Sequence, residues 1–403
     1  MLALLLLLTA CSPTDDTDDV TEGTDAEPVA LRVATFNVAM FSTQPGRIAS
    51  TLERGEYEAA QILATILQDV RPDVVLLNEV DWDADGRAVG SLLDDYIGVS
   101  QDGMDPLDYP HVYVPTVNTG VASGVDLDGN GTAVTTPGAS GYGNDAFGFG
   151  TYEGQYGMVL LSRFPIDTDG VRTFQTLLWA DMPGALLPTD PDGSPWYSAE
   201  ALEVLRLSSK THADVPIVVG DTTVHALISH PTPPGFDGDE DRNGQRNHDE
   251  VRFWVDYIGT SDWMTDDDGV TGGLGDEPFV VMGDLNRDPI DGDAPGTAMT
   301  DLLTAPRVAS FDAPTSAGAA EQSELQRGIN TSHQGPAEQD TTDFEDSEVG
   351  NLRLDYVLPS ADLTVTGSGV FWPTTDDPDF DLVGTFPFPL SDHRLVWVDV
   401  VVE

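Results

Sequence analysis

The sequence has little that could cross-link the chain or neutralise a polyanion. Among 403 residues there is one cysteine, Cys11, so no disulfide bond can form within the chain. The 17 basic residues include a single lysine, Lys210, and they face 70 acidic residues, which gives a formal net charge of -53 at pH 7. Proteins that grip nucleic acid nonspecifically neutralise its phosphates with lysine and arginine. Nucleic acid is therefore a possible but disfavoured partner, unless metal ions screen the site.

Long apolar runs are also scarce, and the one formed by residues 2–8 is too short to span a bilayer. Its length is typical of a signal peptide, and the segment Leu8-Thr9-Ala10-Cys11 resembles a bacterial lipoprotein box, whose cysteine is lipidated. We expect residues 1–10 to be a lipoprotein signal peptide and Cys11 to carry the lipid anchor. This predicts a protein of the bacterial cell envelope, held at the membrane by several acyl chains and facing the periplasm or the cell exterior. Ordinary secretion is the alternative.

The rest of the chain divides into a short acidic segment and one domain. Residues 11–30 are rich in aspartate, threonine and glutamate and predict a disordered acidic tether. Residues 31–403 predict a single globular domain, because a hydrophobic content of 40% supports a core. In residues 56–70 the apolar side chains recur with helical spacing, and the apolar run 74–77 predicts a buried strand. A helix and a strand in succession indicate an α/β layered domain.

Several short apolar runs meet polar side chains that carry chemistry. The central run, 279–282, is followed by Gly283, Asp284, Leu285 and Asn286. Because side chains alternate along a strand, Asp284 and Asn286 are predicted to share a face. The ends of other predicted strands carry further polar residues: Asn37, Glu79, His230, Asp355, Asp392 and His393.

If these strand ends converge, one cleft holds four carboxylates, two amides and two histidines. Carboxylates that crowd together repel one another, so a hard divalent cation is their natural ligand. The histidines supply acid–base function near neutral pH. This set of side chains is typical of metal-assisted hydrolysis of a phosphoester.

The order of these segments resembles the endonuclease/exonuclease/phosphatase superfamily, which has the DNase I-like fold. The resemblance extends over residues 31–402 and rests on six segments: Thr35-Phe36-Asn37-Val38, Leu77-Asn78-Glu79-Val80, Ile228-Ser229-His230, Gly283-Asp284-Leu285-Asn286, Leu354-Asp355-Tyr356-Val357 and Ser391-Asp392-His393. It implies an α/β (α+β) four-layer sandwich, in which two mixed β-sheets pack face to face with helices outside.

The resemblance also implies a metal centre. Glu79 would be the principal ligand of a divalent cation, assisted by Asn37 and Asp392. Mg²⁺ is the expected ion, with Mn²⁺ or Ca²⁺ as alternatives. Asp355 would orient His393 by fixing its tautomer, and His393 would contact the scissile phosphate or act as the base.

The remaining roles implied by the resemblance concern the attacking water and the leaving group. Asp284 would position or deprotonate the water, and Asn286 would hold the water or a phosphate oxygen. His230 would stabilise the charge of the pentacovalent state or protonate the leaving oxygen. The choice of base between Asp284 and His393 stays open.

Two further groups of residues are predicted to bind ligands. The candidates for contact with a substrate phosphate are Lys210, Arg242 and Asn247. Residues 239–250 match the spacing of an EF-hand loop, which suggests a structural Ca²⁺ held by Asp239, Asp241, Asn243 and Glu250. The alternatives for this loop are a solvated acidic turn or a substrate cleft lined by Arg242, Asn243, Arg246 and Asn247.

Taken together, the sequence predicts an exported, divalent-metal-dependent phosphoesterase. It would hydrolyse phosphomonoesters or phosphodiesters by in-line attack of water, and the net charge favours small phosphoesters as substrates. An extracellular nuclease with the same chemistry is the first alternative. A calcium-stabilised surface binding module without catalysis is the second. We expect a monomer.

Overall fold

The computed structural model describes residues 28–259 and 261–403. The predicted signal peptide, the lipidated Cys11 and nearly all of the predicted tether lie outside the described residues. The first strand begins at Val29, so the folded domain starts slightly before the predicted boundary at residue 31. Within the described ranges, no helix is both long and apolar enough to cross a membrane.

The described chain forms two mixed β-sheets. Its strands are β1 (Val29–Met40), β2 (Val74–Val80), β3 (His111–Tyr113), β4 (Gly157–Ser162), β5 (Arg172–Thr173), β6 (His212–Val219), β7 (Thr222–Ser229), β8 (Phe279–Asp284), β9 (Asp355–Pro359), β10 (Thr364–Val370) and β11 (Val396–Val402). The first sheet has the order β10-β11-β1-β2-β4-β3, and the second has the order β5-β6-β7-β8-β9. In each sheet one central pair is parallel, β1 with β2 and β7 with β8, and the other neighbours are antiparallel.

Helices cover the outer faces of both sheets. The α-helices are α1 (Arg47–Leu52), α2 (Glu58–Val70), α3 (Arg87–Leu92), α4 (Ala199–Leu202), α5 (Arg242–Ile258), α6 (Ala298–Leu303) and α7 (Ala317–Gln326). A π-helical turn, Leu93–Ile97, continues α3. Short 3-10 turns occur at Tyr142–Asp145, Trp179–Asp181, Gly328–Ser332, Ala337–Gln339 and Pro378–Leu382.

Alternation along the strands builds three buried layers of side chains. In β2, Val74 and Leu76 face the core between the two sheets, whereas Val75 and Leu77 face the helices α1 to α3. In β8, Met282 faces the core between the sheets and Val281 faces α5 and α6. Because both faces of β2 and β8 are covered, the runs 74–77 and 279–282 are apolar on both faces, and polar residues follow only at the strand ends. The predicted four-layer sandwich is confirmed.

The predicted helix over residues 56–70 is α2. Its apolar side chains Leu63, Ile66 and Leu67 are buried, and it ends at Arg71, which takes a left-handed conformation before Pro72. Residues 291–346 are rich in polar side chains and still form regular elements. They contain α6, α7 and two of the 3-10 turns, and they place Thr341 beside β9.

Candidate active site

The predicted site residues converge where β1, β2, β7, β8 and β9 end or begin. Asp284 is the last residue of β8 and is 1% exposed. Gly283, just before it, has φ +148, and a Cβ at this position would lie 2.1 Å from the backbone oxygen of Ser229. A glycine is therefore required here for β8 to lie against the end of β7, the strand that delivers His230.

The Asp284 carboxylate lies at the centre of the site. Its Oδ2 accepts a hydrogen bond from Asn37 Nδ2 at 3.0 Å and lies 3.3 Å from His230 Nε2 and 3.7 Å from His393 Nε2. Its Oδ1 accepts from the backbone N–H of Asn286 at 2.9 Å. Burial alone would raise the pKa of Asp284, but the two histidines and the bond from Asn37 outweigh it and hold the pKa well below its usual range. The carboxylate is therefore ionised and can accept a further hydrogen bond from water.

A second carboxylate orients His393. Asp355 Oδ2 lies 2.9 Å from His393 Nδ1 and accepts a hydrogen bond from Thr341 Oγ1 at 2.8 Å. With Nδ1 donating to Asp355, Nε2 points toward Asp284. Burial opposes the charged imidazolium, yet the carboxylates of Asp355, Asp284 and Asp392 outweigh burial and raise the pKa of His393. This pairing is the one that the family resemblance implies.

Glu79 enters the same cleft from a β-bulge. The pairing of β2 with both neighbouring strands is interrupted between Asn78 and Val80, and Glu79 has φ +61. A left-handed conformation at a glutamate is strained and is often found at functional sites. It leaves the side chain 21% exposed, with Oε1 4.0 Å from His230 Nε2. Glu79 is thus the open carboxylate of the site, whereas Asp284 is the enclosed one.

The other strand ends are held close by short contacts. The side-chain amide of Asn286 donates to the backbone oxygen of Pro231 at 3.0 Å, which fastens the end of β8 to the segment after His230. Ser391 Oγ donates to the backbone oxygen of Asn37 at 2.7 Å, which brings the segment containing Asp392 against β1.

Burial, followed by the charge of Lys210, lowers the pKa of His230 and so favours its neutral form. Asp392 is partly exposed.

These side chains suit a divalent cation. Asp284, Asp355 and His393 each offer a ligand atom within 4.8 Å of the other two. Asp355 Oδ1 is buried and has no hydrogen-bond partner. Glu79, Asn37 and Asp392 add further oxygen atoms, the donors that hard cations prefer. The chemistry of this donor set therefore fits a divalent cation, and the assignment of Glu79, Asn37 and Asp392 as its ligands stays a prediction.

A cavity of about 470 Å³ opens beside Glu79. Two of the three predicted phosphate contacts, Lys210 and Arg242, line it. Lys210 lies in the loop before β6 and is only 7% exposed, so it is not a surface residue. Burial lowers its pKa, and the carboxylates of Glu79, Glu250 and Asp284 oppose that effect. Lys210 lines the same cavity as Glu79. Arg242 forms an ion pair with Glu240.

The third predicted phosphate contact, Asn247, is wrong. It is fully buried in α5, and its amide donates to the backbone oxygens of Thr232, Leu285 and Asn286. Every donor of this side chain is therefore used to hold loops in place. Its function is to support the residues of the site rather than to touch a ligand.

The EF-hand interpretation of residues 239–250 is also contradicted. The segment from Arg242 onward is helical, so the twelve-residue loop does not exist. Glu250 lies in the middle of α5, where its two carboxylate oxygens accept the backbone N–H groups of Ser209 at 2.6 Å and Thr232 at 2.7 Å. Asn243 Nδ2 donates to the oxygen of Gly235. Asp239 and Asp241 consequently have no partner ligands in the arrangement that an EF-hand requires.

Three contributors to the site were missed at the level of sequence. Asn78 Oδ1 accepts from the backbone N–H of Asp284 at 3.3 Å, across the two sheets. Thr341 supports Asp355, and Asp81 accepts from the backbone N–H of Ser42 at 2.9 Å and from the Tyr152 hydroxyl at 2.5 Å. Asn78 and Asp81 flank Glu79 closely enough to have been suspected. Thr341 could not be predicted from the sequence, because the segment around it has no apolar periodicity.

Comparison with known proteins agrees with this geometry. Residues 34–393 match the Endonuclease/Exonuclease/phosphatase family. The chain belongs to this family, whose members are metal-dependent phosphoesterases and nucleases. The superfamily predicted from the sequence is thereby confirmed. No curated protein matches the chain.

Solved structures with similarity to this chain include three bacterial proteins. An endonuclease/exonuclease/phosphatase from Beutenbergia cavernae shares 19% identity, with 92% of this chain and 71% of that chain covered and a TM-score of 0.47. A family protein from Bacteroides thetaiotaomicron shares 13% identity, with 94% and 99% covered and a TM-score of 0.46. A mutant beta toxin from Staphylococcus aureus with bound magnesium ions shares 16% identity, with 92% and 99% covered and a TM-score of 0.43.

Proposed function

We propose that the protein hydrolyses small phosphomonoesters or phosphodiesters with the help of a divalent cation, for which Mg²⁺ is the first choice. The observation that carries this proposal is the Asp284 carboxylate, which is buried, ionised and surrounded by Asn37, His230 and His393 beside the open carboxylate of Glu79. A cation held by Glu79, Asn37 and Asp392 would supply Lewis-acid polarisation of the phosphate.

Side chains of the protein would position the attacking water and stabilise the charges that develop during the reaction. Asp284 accepts a hydrogen bond from water and so holds it for in-line attack on phosphorus. His393, whose Nδ1–H is held by Asp355, directs its Nε2–H at the same point and stabilises the negative charge that develops on a phosphate oxygen. His230 lies between Asp284 and Glu79, where the Nε2–H of its neutral ring can donate a hydrogen bond to the leaving oxygen and stabilise the charge that develops there.

Small substrates are favoured by the shape and charge of the molecule. The cavity beside Glu79 has the volume of a small-molecule site. The net charge of -53 repels long polyanions, which counts against the alternative of an extracellular nuclease.

Hydrolysis by the purified protein tests the proposal. The panel contains p-nitrophenyl phosphate, bis-p-nitrophenyl phosphate and plasmid DNA, assayed with a chelator and then with Mg²⁺, Mn²⁺ or Ca²⁺ restored. We expect turnover of a small ester that depends on metal, and a loss of about a thousandfold in kcat for Asp284→Asn. The matched control, Asp312→Asn, removes an exposed carboxylate and should leave kcat unchanged.

Two outcomes would count against the proposal. Rapid cleavage of DNA with little turnover of small esters would favour the nuclease. Equal activity of the Asp284→Asn variant and its control would show that chemistry occurs elsewhere.

The same proposal places the protein in the cell envelope, lipidated at Cys11. Incorporation of labelled fatty acid by the protein and not by a Cys11→Ser variant tests that part.

A further inference from the structure

The cavity beside Glu79 is lined by three basic side chains, Lys210, Arg242 and Arg246, together with the carboxylates of Glu79 and Asp128. Lys210 and Arg246 both line it, and they are 7% and 8% exposed. In the described part of the chain neither side chain forms an ion pair with a carboxylate. A guanidinium buried without a carboxylate partner is costly, and an anion bound beside Lys210 would favour the protonated form of that amine. Two such basic side chains in the lining of one cavity indicate that a ligand supplies their anionic partner.

Arg246 is fixed in position and still has a free donor. Its Nε donates to the backbone oxygen of Leu207 at 2.9 Å, and its Nη2 donates to those of Phe147 at 2.7 Å and Arg206 at 2.8 Å. Its Nη1 forms no hydrogen bond with any residue that the structure describes. Three neutral carbonyls hold the guanidinium without cancelling its charge, so one edge is presented ready for an anion.

The backbone at Lys210 is held by residues that are distant in the chain. The backbone N–H of Asn118 donates to the Lys210 carbonyl at 2.9 Å, and the preceding Ser209 donates its N–H to Glu250 at 2.6 Å. The Lys210 ammonium itself forms no hydrogen bond within residues 28–259 and 261–403. The hydroxyls of Tyr156 and Tyr197, on the same cavity, are likewise without partners among those residues.

The rest of the lining suits a compact carbon skeleton. Leu205, Pro233 and Phe149 contribute apolar surface, and Glu79, a predicted ligand of the cation, belongs to the same lining. A molecule whose ester phosphate lies at Glu79 would extend its alcohol into this space, toward the donors of Lys210 and Arg246.

We infer that the cavity is a second anion subsite, which selects phosphoesters whose alcohol carries another anionic group, a phosphate or a carboxylate. This inference rests on the proposed function, because it assigns the leaving-group side of the same reaction. Lys210 and Arg246 are its binding residues, and the tyrosine hydroxyls add neutral donors. Arg242, neutralised by Glu240, contributes less.

The test uses the full chain with saturating Mg²⁺ and substrates built on one carbon skeleton. Glycerol phosphate has a neutral alcohol, phosphoglycerate adds a carboxylate, and glycerol bisphosphate adds a phosphate. We expect kcat/KM for at least one of the two doubly anionic esters to exceed that for glycerol phosphate by about tenfold or more, because a hydrogen bond to a charged group is worth that much. The ester that gains identifies the anion as carboxylate or phosphate.

Matched variants show whether the cations cause the preference. Arg246→Gln and Lys210→Gln should each raise KM for the preferred ester about tenfold and reduce the ratio between esters, and Arg246→Lys should recover part of it. The control Arg54→Gln removes one exposed cation that does not line the cavity and should keep the wild-type ratio. If Arg246→Gln does not fold, Lys210→Gln provides the same comparison.

Equal kcat/KM for all three esters, or a ratio that survives in both Gln variants, would overturn the inference and leave the proposed function intact. If no ester is hydrolysed, calorimetry with phosphoglycerate and glycerol bisphosphate still decides. Binding of either that is lost in Arg246→Gln or Lys210→Gln and kept in Arg54→Gln supports the subsite. Binding of neither, or binding that persists in both Gln variants, refutes it.

Discussion

At the scale of single residues, the site depends on polar side chains that are fixed before any ligand arrives. Asp284 receives hydrogen bonds from Asn37 and from the backbone of Asn286, and Asp355 receives one from Thr341. Thr341 has a double function, because its Oγ1 also accepts from the backbone N–H groups of Leu354 and Asp355 at 3.0 and 3.1 Å. One hydroxyl thus fixes the backbone at the start of β9 and also orients the carboxylate of Asp355.

Replacement of this hydroxyl gives a direct test. Thr341→Val keeps the shape of the side chain and removes the bond to Asp355, so the carboxylate can rotate away from His393. We expect kcat for the small ester to fall at least tenfold, which corresponds to about 1.5 kcal/mol for a hydrogen bond to a charged carboxylate. Thr341→Ser restores the hydroxyl and should restore kcat. Equal rates for the Val and Ser variants would mean that Thr341 does not control His393.

At the scale of secondary structure, α5 explains both the success and the failure of sequence-based interpretation. Its N-terminal half is highly polar, yet Arg246, Asn247, Asp249 and Glu250 are all buried. Each is satisfied by groups distant in sequence; for example, Glu250 accepts from Ser209 and Thr232. A buried polar helix has the same composition as a metal-binding loop, so spacing alone suggested calcium.

Strand ends were more predictable for a physical reason. An apolar run bounded by a polar residue marks the edge of a buried sheet, and this signal located Asn37, Glu79, His230 and Asp284. Strand β10, with the sequence TVTGSGV, was not predicted because it is half-exposed and rich in small residues. Alternation cannot mark a strand that buries little apolar surface.

The junction of β6 with α5 makes unfolding depend on pH. His212 is buried against Phe253 and Trp254, its Nε2 donates to the backbone oxygen of Glu250 at 2.8 Å, and its Nδ1 accepts from Ser208 at 2.6 Å. Burial is the largest cause that lowers the pKa of His212, to about 4. The folded protein therefore holds a neutral imidazole between about pH 4 and 6.5, whereas the unfolded chain binds a proton there.

The contribution of His212 to stability is accordingly complete above pH 6.5 and is lost as the pH falls toward 4. The shift corresponds to about 3 kcal/mol over this range. Urea unfolding of the wild type and of His212→Gln at several pH values measures it. We expect the free energy of unfolding to fall less steeply with decreasing pH in the variant. Parallel curves for the two proteins would contradict the prediction.

At the scale of the whole molecule, two opposing fields act on an anionic substrate. The net charge of -53 repels it at long range, whereas Lys210 and Arg246 attract it inside the cavity. Salt screens exposed charges over about 10 Å at 0.1 M, and it screens buried contacts much less. The long-range repulsion is therefore the component that added salt removes.

This difference predicts the sign of the salt effect. With Mg²⁺ kept saturating, an increase in NaCl from about 0.02 to 0.2 M should raise kcat/KM severalfold by speeding encounter and should leave kcat unchanged. The increase should be larger for glycerol bisphosphate than for bis-p-nitrophenyl phosphate, because the former carries more charge. A protein that grips a polyanion through its cations shows the opposite trend and loses affinity as salt rises. A fall in kcat/KM with salt would therefore mean that attraction by the cavity cations outweighs repulsion by the net charge even at long range. That result would favour the nuclease alternative.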